Sequence, residues 1–321
     1  MITKSTSVHA KCPTISVVVI GRNSFEQLQD VYHGEYLDFL KEQTCELIYV
    51  DSGSTDESVE WMRSRGFDTV TLLQDGLLSA AAGRNIGTQR AQSEFVLYLD
   101  SDMKIHDHEH FFSRVRSELN KNTEHVGLVG QVVDHYPDGT TRVRVRKSHK
   151  NGTARTFGGF VILRRSEVIS AGNWNSGLAS LEEQELYSRL LARKKSVLYV
   201  PDVAVQHKTQ VPNAIAELIS VYWPTRGKRY GGLGKALRDG FWQRRTIYLL
   251  LMNREVLLFA MVLGPIMLGK PFEAVAFFII YEIDLLVRRS WKYNLVVPGL
   301  FVSTILGLAS RKEKAKPYVS Q

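Results

Sequence analysis

Short apolar runs rich in β-branched residues alternate with helical patterns through the first hundred residues of the chain. The runs are ISVVVI (15–20), ELIYVD (46–51), DTVTLL (68–73) and EFVLYLD (94–100), and helical patterns at 24–43, 54–66 and 77–92 separate them. This alternation predicts an α/β fold in which helices cover both faces of a parallel sheet. In such sheets, ligands bind at the carboxyl ends of the strands.

Polar residues follow three of these predicted strands directly. Arg22 and Asn23 come after the first strand, Asp51 ends the second, and Asp100 and Asp102 end the fourth. Because the carboxyl ends of parallel strands lie at the same edge of a sheet, we expect these segments to converge there.

After residue 105 the pattern becomes mixed. It predicts a helix at 108–120, two antiparallel strands around the turn Pro137-Asp138-Gly139, a glycine-interrupted strand at 156–165, a helix at 180–194 and a strand at 196–202. The complete sheet is therefore expected to be mixed, and we assign residues 1–211 to one domain.

The remaining residues, 212–321, have a different character. A basic and aromatic segment (222–245) precedes apolar runs at 246–252, 256–268, 274–281 and 295–309. None of these runs reaches the ~20 residues of a membrane-spanning helix. Apolar helices flanked by Lys, Arg and Trp favour a region that lies on or dips into an anionic membrane surface. The alternative is a helical bundle that packs on the first domain or on another subunit.

The net charge, the cysteine count and the N-terminal sequence limit which partners and which compartment we expect for the protein. The net charge of +8 favours an anionic partner, but the basic residues cluster with apolar helices and no nucleic-acid recognition motif is present, so nucleic acid is not expected. Two cysteines, Cys12 and Cys45, make neither a disulfide framework nor a metal motif. The N-terminal apolar run is too short for a signal peptide, so we expect the protein on the cytoplasmic face of the membrane.

Two carboxylates one residue apart at a strand end repel each other unless a positive charge lies beside them. A divalent cation such as Mg²⁺ or Mn²⁺ would supply that charge, since these ions prefer carboxylate oxygens and keep positions open for phosphate. The alternative for Asp100 and Asp102 is a capped turn.

The order of the motifs SVVVIGRN (16–23), YVDSGSTDES (49–58), AAGRNIG (81–87) and YLDSD (98–102) resembles the inverting glycosyltransferases of family 2, which have the Rossmann-like GT-A fold. The resemblance covers residues 14–210. It implies a nucleotide-diphosphate-sugar donor, for which we expect a UDP-sugar, and a divalent metal, Mn or Mg. It implies that Asp51 binds the nucleobase or ribose, that Asp102 ligates the metal and that Asp100 contacts the ribose or the metal. It also places four residues at the donor site: Arg22, Arg84, Asn85 and Ser101.

An acidic pair is expected in the second half of such enzymes, at the start of a helix. Glu182 and Glu183 occupy that place, where the family more often has Glu-Asp. We favour Glu183 as the catalytic base, with Glu182 as the alternative. An acidic first turn favoured by the helix dipole is the simpler explanation. Relatives also place a histidine after the last strand of the match, so His207 is predicted to complete the metal or pyrophosphate site.

The resulting prediction is a metal-dependent, inverting glycosyltransferase acting in cell-surface polysaccharide or glycolipid assembly. Its acceptor would be a hydroxyl of a saccharide or lipid-linked saccharide, and the basic segment 225–230 would bind a diphosphate or anionic headgroups. A nucleotidyltransferase would need a glycine-rich, lysine-bearing loop after the first strand, which IGRNSFEQ does not supply. A non-catalytic sugar- or nucleotide-binding subunit is the other alternative.

Overall fold

A mixed nine-stranded sheet forms the centre of the computed structural model, which describes residues 14–44, 46–72, 78–144, 149, 152–157, 159–210, 231–288 and 297–310. Across the sheet, the strands follow the order β3 (Asp68–Thr71), β2 (Glu46–Asp51), β1 (Ile15–Gly21), β4 (Phe95–Asp100), β8 (Val161–Arg164), β6 (Gly127–His135), β9 (Leu198–Lys208) and β5 (Met103–Ile105). Strand β7 (Thr141–Arg144) pairs with β6. Cys12, Cys45, the basic segment 225–230 and the predicted domain boundary at 211–212 lie outside the described residues.

The first half of the sheet is parallel, as the sequence predicts. Its strands are β1 (Ile15–Gly21), β2 (Glu46–Asp51), β3 (Asp68–Thr71) and β4 (Phe95–Asp100), and its helices are α1 (Phe25–Val31), α2 (Gly34–Gln43), α3 (Ser58–Ser64) and α4 (Ala80–Arg90). Consecutive β1 residues pack on opposite faces, with Val17 and Val19 in one buried cluster and Val18 and Ile20 in the other. Helices therefore cover both faces, which explains why these strands are continuously apolar.

The second half of the sheet is mixed. It contains β5 (Met103–Ile105), α5 (His108–Lys121), β6 (Gly127–His135), β7 (Thr141–Arg144), β8 (Val161–Arg164), α6 (Arg165–Ser170), α7 (Glu182–Ala192) and β9 (Leu198–Lys208). Strand β8 is antiparallel to both β4 and β6, whereas β6 and β9 are parallel. The predicted hairpin around Pro137-Asp138-Gly139 is present as β6 and β7.

The last strand is longer than the sequence predicts. The predicted strand ends at residue 202, yet β9 continues to Lys208, so His207 lies within the strand and does not follow it. Pro201 suggests an ending because proline cannot donate to a strand ladder. The ladder with β6 is instead interrupted at a register shift between Val129 and Gln131, and it resumes where Ala204 pairs with Gln131.

Five helices make up the described C-terminal region: α8 (Gly232–Asp239), α9 (Arg244–Met252), α10 (Arg254–Met267), α11 (Pro271–Arg288) and α12 (Val297–Ala309). Small residues let α8 and α12 cross closely, since a Cβ on Gly234 would lie only 2.0 Å from the Thr304 carbonyl oxygen. Helix α8 also packs against the segment before α7, where Leu178 joins Ala236 and Leu249 in one buried cluster.

Much apolar surface remains exposed on this region. Trp242, Met267 and Phe272 have exposed fractions of 92%, 85% and 91%. No described helix is by itself long and apolar enough to cross a bilayer, and only α9 and α10 together, bent by 82°, meet the length and composition of a span.

Candidate active site

The carboxyl ends of β1, β2 and β4 form one edge of the sheet, and the predicted polar segments converge there. In the strand register, Gly21 lies beside Asp51 and Ile20 lies beside Asp100. Side chains join the loops that follow: the Asn23 amide donates to Ser54 Oγ at 2.7 Å, and Ser101 Oγ donates to Ser24 Oγ at 2.9 Å. The predicted convergence is therefore confirmed.

Asp51 shapes the loop that it begins. The side chain is fully buried, and its Oδ2 accepts hydrogen bonds from the Gly53 amide at 2.9 Å and the Ser54 amide at 2.8 Å. The Ser54 hydroxyl donates to the other oxygen. Gly53 has φ of +76°, a conformation that glycine adopts without strain. The predicted contact of Asp51 with a nucleobase or ribose stays a prediction.

Asp100 and Asp102 diverge toward different partners. Asp100 Oδ1 lies 2.9 Å from Arg84 Nη2, whereas Asp102 Oδ2 lies 3.3 Å from His207 Nε2. The strand end therefore separates the two carboxylates, and each gains a cationic neighbour. This relieves the repulsion that their spacing in the sequence implies.

His207 lies between two carboxylates, and we call Asp102, His207 and Asp134 the His207 triad. The Nδ1 atom of His207 lies 2.8 Å from Oδ1 of Asp134, a fully buried residue on β6. Asp134 also pairs with Arg144 at 2.6 Å. Burial opposes the charged imidazole, but hydrogen bonds to Asp102 and Asp134 raise the pKa of His207 to about 9. Burial likewise opposes the Asp134 carboxylate, but hydrogen bonds from His207 and Arg144 lower its pKa.

The His207 triad fits a divalent metal. Asp102 Oδ1 is buried without a hydrogen-bond partner, so one carboxylate oxygen is left for a ligand. The Asp134–His207 contact is the carboxylate–histidine arrangement that orients metal-binding imidazoles. In the part of the chain that the structure describes, no three His, Cys, Asp or Glu side chains are grouped so as to hold a metal by themselves. Among the described residues, Asp102 and His207 would therefore supply only part of the coordination of a cation.

Arg84 connects the two halves of the site, and we call Arg84, Asp100, Glu182 and Glu183 the Arg84 cluster. Its guanidinium is 2% exposed, and Nη1 lies 2.9 Å from Glu182 Oε1 and 3.2 Å from Glu183 Oε1. Burial alone would lower the pKa of Arg84, but Asp100, Glu183 and Glu182 raise it. Arg84 is thus a buried partner of three carboxylates.

Glu182 and Glu183 differ in their surroundings. Burial and then the charge of Glu183 raise the pKa of Glu182 to about 8, while Arg84 opposes the shift. Glu183 is more exposed, at 18% against 8%, and accepts a hydrogen bond from the Gly159 amide at 3.0 Å. These contacts favour Glu183 as the carboxylate that meets a substrate. A solvated first turn does not describe this pair.

Asn85 and Arg22, two residues predicted at the donor site, have different surroundings. Asn85 donates to the Trp174 carbonyl oxygen at 2.6 Å and accepts from Gln89, so it ties α4 to the 173–174 loop. Arg22 is exposed beside the edge. Both assignments stay predictions.

Sequence reasoning missed Asp134 and Trp174. Asp134 interrupts the apolar strand β6, and a buried carboxylate in such a run is a signal that could have been used. Trp174 lies beneath Arg84, whose Cζ is 5.1 Å from the ring centroid. No motif around Trp174 indicates this contact.

Residues 16–175 match the model of Glycosyl transferase family 2. The match spans just under half of the chain, and over that part the sequence is similar to this family. Among solved structures, the mannosyltransferase PcManGT from Pyrobaculum calidifontis, in complex with GDP-Man and Mn²⁺, is 17% identical with a TM-score of 0.57, covering 94% of this chain and 88% of its own. GalNAc-T7 with UDP, GalNAc and Mn²⁺ is 14% identical with a TM-score of 0.49 over 76% of this chain, which spans 55% of that structure. No curated protein matches the sequence.

The family match and the likeness to PcManGT confirm the predicted GT-A fold. The family match includes Asp51, Arg84, Asp100 and Asp102 and ends before Glu182, Glu183 and His207. The assignment of the acidic pair and of the histidine therefore depends on the geometry of this chain.

The His207 triad predicts a pH dependence of stability in the metal-free domain. Because the pKa of His207 is raised from 6.5 to about 9, its contribution to the free energy of unfolding is fully present below pH 6.5 and lost as pH rises through 9. Its size is on the order of 3 kcal/mol. Denaturant unfolding between pH 6 and 10 should show a steeper decline in the wild type than in His207→Gln. Parallel pH profiles would contradict the pairing.

Proposed function

We propose that the protein transfers a sugar from a nucleotide-diphosphate-sugar to an acceptor hydroxyl with inversion at the anomeric carbon. The observation that carries the proposal is the Arg84 cluster. One buried guanidinium joins Asp100, at the donor edge of the sheet, to the acidic pair that would serve the acceptor. The residues proposed to bind the donor and those proposed to serve the acceptor would thereby lie in the same small site, which is what a direct transfer requires.

The donor would bind at the ends of β1, β2 and β4. Asp51 and its loop would face the nucleobase or ribose, and Asp102 and His207 would hold a divalent cation. A cation there would supply positive charge to the diphosphate leaving group. The presence of GDP-Man with Mn²⁺ in PcManGT, which shares the fold, supports a nucleotide-sugar donor. We retain a UDP-sugar as the first candidate.

Glu183 would act as the base. Its carboxylate takes the proton of the acceptor hydroxyl as that oxygen forms a bond to the anomeric carbon, while the bond between that carbon and the diphosphate oxygen breaks and the nucleoside diphosphate leaves. Inversion needs no covalent intermediate, so one base is enough. Glu182, which is more buried and held by Arg84, would help to position its neighbour.

The apolar surface of α9–α12 would lie on the cytoplasmic face of an anionic membrane. Its exposed aromatic side chains, with Arg and Lys nearby, are typical of helices in a bilayer interface. Such attachment would bring the site to a lipid-linked saccharide acceptor, as in cell-surface polysaccharide or glycolipid assembly. Packing of α8 and α9 on the first domain is present as well, so attachment and packing are compatible.

Nucleotide binding should depend on both metal and Asp102. We expect calorimetric titration with a panel of nucleoside diphosphates to detect one preferred nucleotide with Mn²⁺, and Asp102→Ala to abolish the metal-dependent part, since the substitution removes the buried oxygen. Asp202→Ala, which changes an exposed carboxylate on β9, is the matched control and should bind normally. Binding unaffected by Mn²⁺ and by Asp102→Ala would refute the proposed donor site.

Turnover should depend on Glu183 more than on Glu182. Glu183→Gln keeps the size of the side chain and removes the base, so the kcat for release of the nucleoside diphosphate, with water as acceptor, should fall by about 10²- to 10⁴-fold. The kcat of Glu182→Gln should be lower than that of the wild type by no more than about tenfold. The affinity of both variants for the nucleotide should equal that of the wild type. The reverse order of effects would assign the base to Glu182.

Membrane attachment should depend on the exposed aromatic residues. Trp242→Ser combined with Phe272→Ser should lower the binding of the protein to phosphatidylcholine–phosphatidylserine vesicles by at least about tenfold, because each buried aromatic side chain contributes about 1.5–3 kcal/mol. Ile169→Ser changes an exposed apolar residue of α6 and serves as the control. Co-sedimentation measures the effect, and equal binding of all variants would argue against attachment through this surface.

A further inference from the structure

Helix α7 begins at the active site and is held from the other side by the C-terminal helices. Its first two residues, Glu182 and Glu183, contact Arg84, whereas Gln184 and Glu185 contact the C-terminal region. Successive helical residues are rotated by about 100°, so a single turn presents polar groups to both sides. The position of the proposed base therefore depends on what holds the opposite side of this turn.

Glu185 makes the strongest connection. It is fully buried, and its carboxylate is shared by Arg189, one turn later on α7 at 2.7 Å, and by Arg245 of α9. Arg189 also donates to the Asn173 carbonyl oxygen at 2.7 Å. A buried carboxylate that loses one cationic partner is destabilised strongly, so this network fixes α7 against α9.

An uncharged contact lies next to this network. Asn253, between α9 and α10, is 4% exposed and donates to Gln184 Oε1 at 2.6 Å. The same amide group donates to the Leu249 carbonyl oxygen at 3.0 Å. The end of α9 thus holds the first turn of α7 through a second hydrogen bond.

The residue before α7 is held in an unfavourable conformation. Leu181 has φ of +61°, in the left-handed region that non-glycine residues rarely adopt. It packs against Leu233 and Leu300 of the C-terminal region. Gly232 lies so close to this loop that a Cβ there would be 2.2 Å from the Ser180 carbonyl oxygen. Such strain persists only where surrounding structure holds it, and it often marks functional sites.

We propose that Arg245 is a positioning residue for the transfer reaction. Through Glu185 it fixes the first turn of α7 and keeps the Glu183 carboxylate beside Arg84 and the Gly159 amide. The inference rests on the proposed role of Glu183 as base. It makes the C-terminal helices part of the catalytic machinery in addition to their proposed membrane attachment.

The test compares Arg245→Ala with the wild type in the full-length protein. Active sites are counted by titration with the preferred nucleoside diphosphate and Mn²⁺, and turnover is the release of that nucleotide with water as acceptor. We expect kcat per active site to fall by about 10- to 100-fold, since a small displacement of a catalytic group has effects of this size. Nucleotide Kd and donor KM should change by less than about twofold, and Arg245→Lys should recover most of the turnover.

Arg254→Ala is the matched control. Arg254 pairs with Asp284 at 2.7 Å and so joins α10 to α11. Its loss should loosen the C-terminal helices without changing kcat by more than about twofold. Asn253→Ala provides a milder second variant, which should lower kcat several-fold while nucleotide binding is retained.

The outcomes separate this inference from the proposed function. If Glu183→Gln blocks turnover but Arg245→Ala and Asn253→Ala leave kcat unchanged, the positioning role alone is overturned. Loss of nucleotide binding in both variants would show a general requirement for folding and would also overturn it. If Glu183→Gln leaves turnover unchanged, the base assignment fails, and the positioning role fails with it.

Discussion

The buried guanidinium of Arg84 is the interaction on which the site depends. Three carboxylates, from Asp100, Glu182 and Glu183, lie within 3.2 Å of its nitrogens. Without it, these groups would be close and buried without an opposite charge, and breaking a buried pair costs about 3–5 kcal/mol. One side chain of α4 thus holds the end of β4 and the start of α7 together. Because both segments carry proposed catalytic groups, the same contact serves stability and function.

The mixed part of the sheet supplies the second half of the site. Strand β9 lies between β6 and β5, which brings His207 beside Asp134 on one side and near Asp102 on the other. Burial of Asp134 is tolerated because His207 and Arg144 both bind it. The imidazole is consequently fixed before any ligand arrives, and Asp102 keeps one buried oxygen without a partner. Preorganisation of this kind reduces the cost of binding a cation.

Sequence patterns predicted most of the fold, because strands buried on both faces and amphipathic helices have distinct periods. They also predicted the convergence of Asp51, Asp100 and Asp102, which follows from parallel topology alone. Contacts between distant segments were harder to predict. Asp134 reaches the site only through the pairing of β6 with β9, and Asn85 makes a contact with the Trp174 carbonyl oxygen that no local pattern indicates. The predicted end of β9 at residue 202 was wrong, because Pro201 lies at a register shift and the strand continues beyond it.

The sequence by itself determined the α/β class, the edge of the sheet where the polar segments converge and the residue types present there, since these depend on local periodicity and on strand direction. Only the tertiary structure decided which charges meet. Asp100 and Asp102 are separated by a single residue, yet Asp100 pairs with Arg84 and Asp102 pairs with His207. The ion pairs of the site form over a few ångströms between residues up to about a hundred positions apart in the chain. Their choice depends on the packing of helices and strands, which no local pattern records.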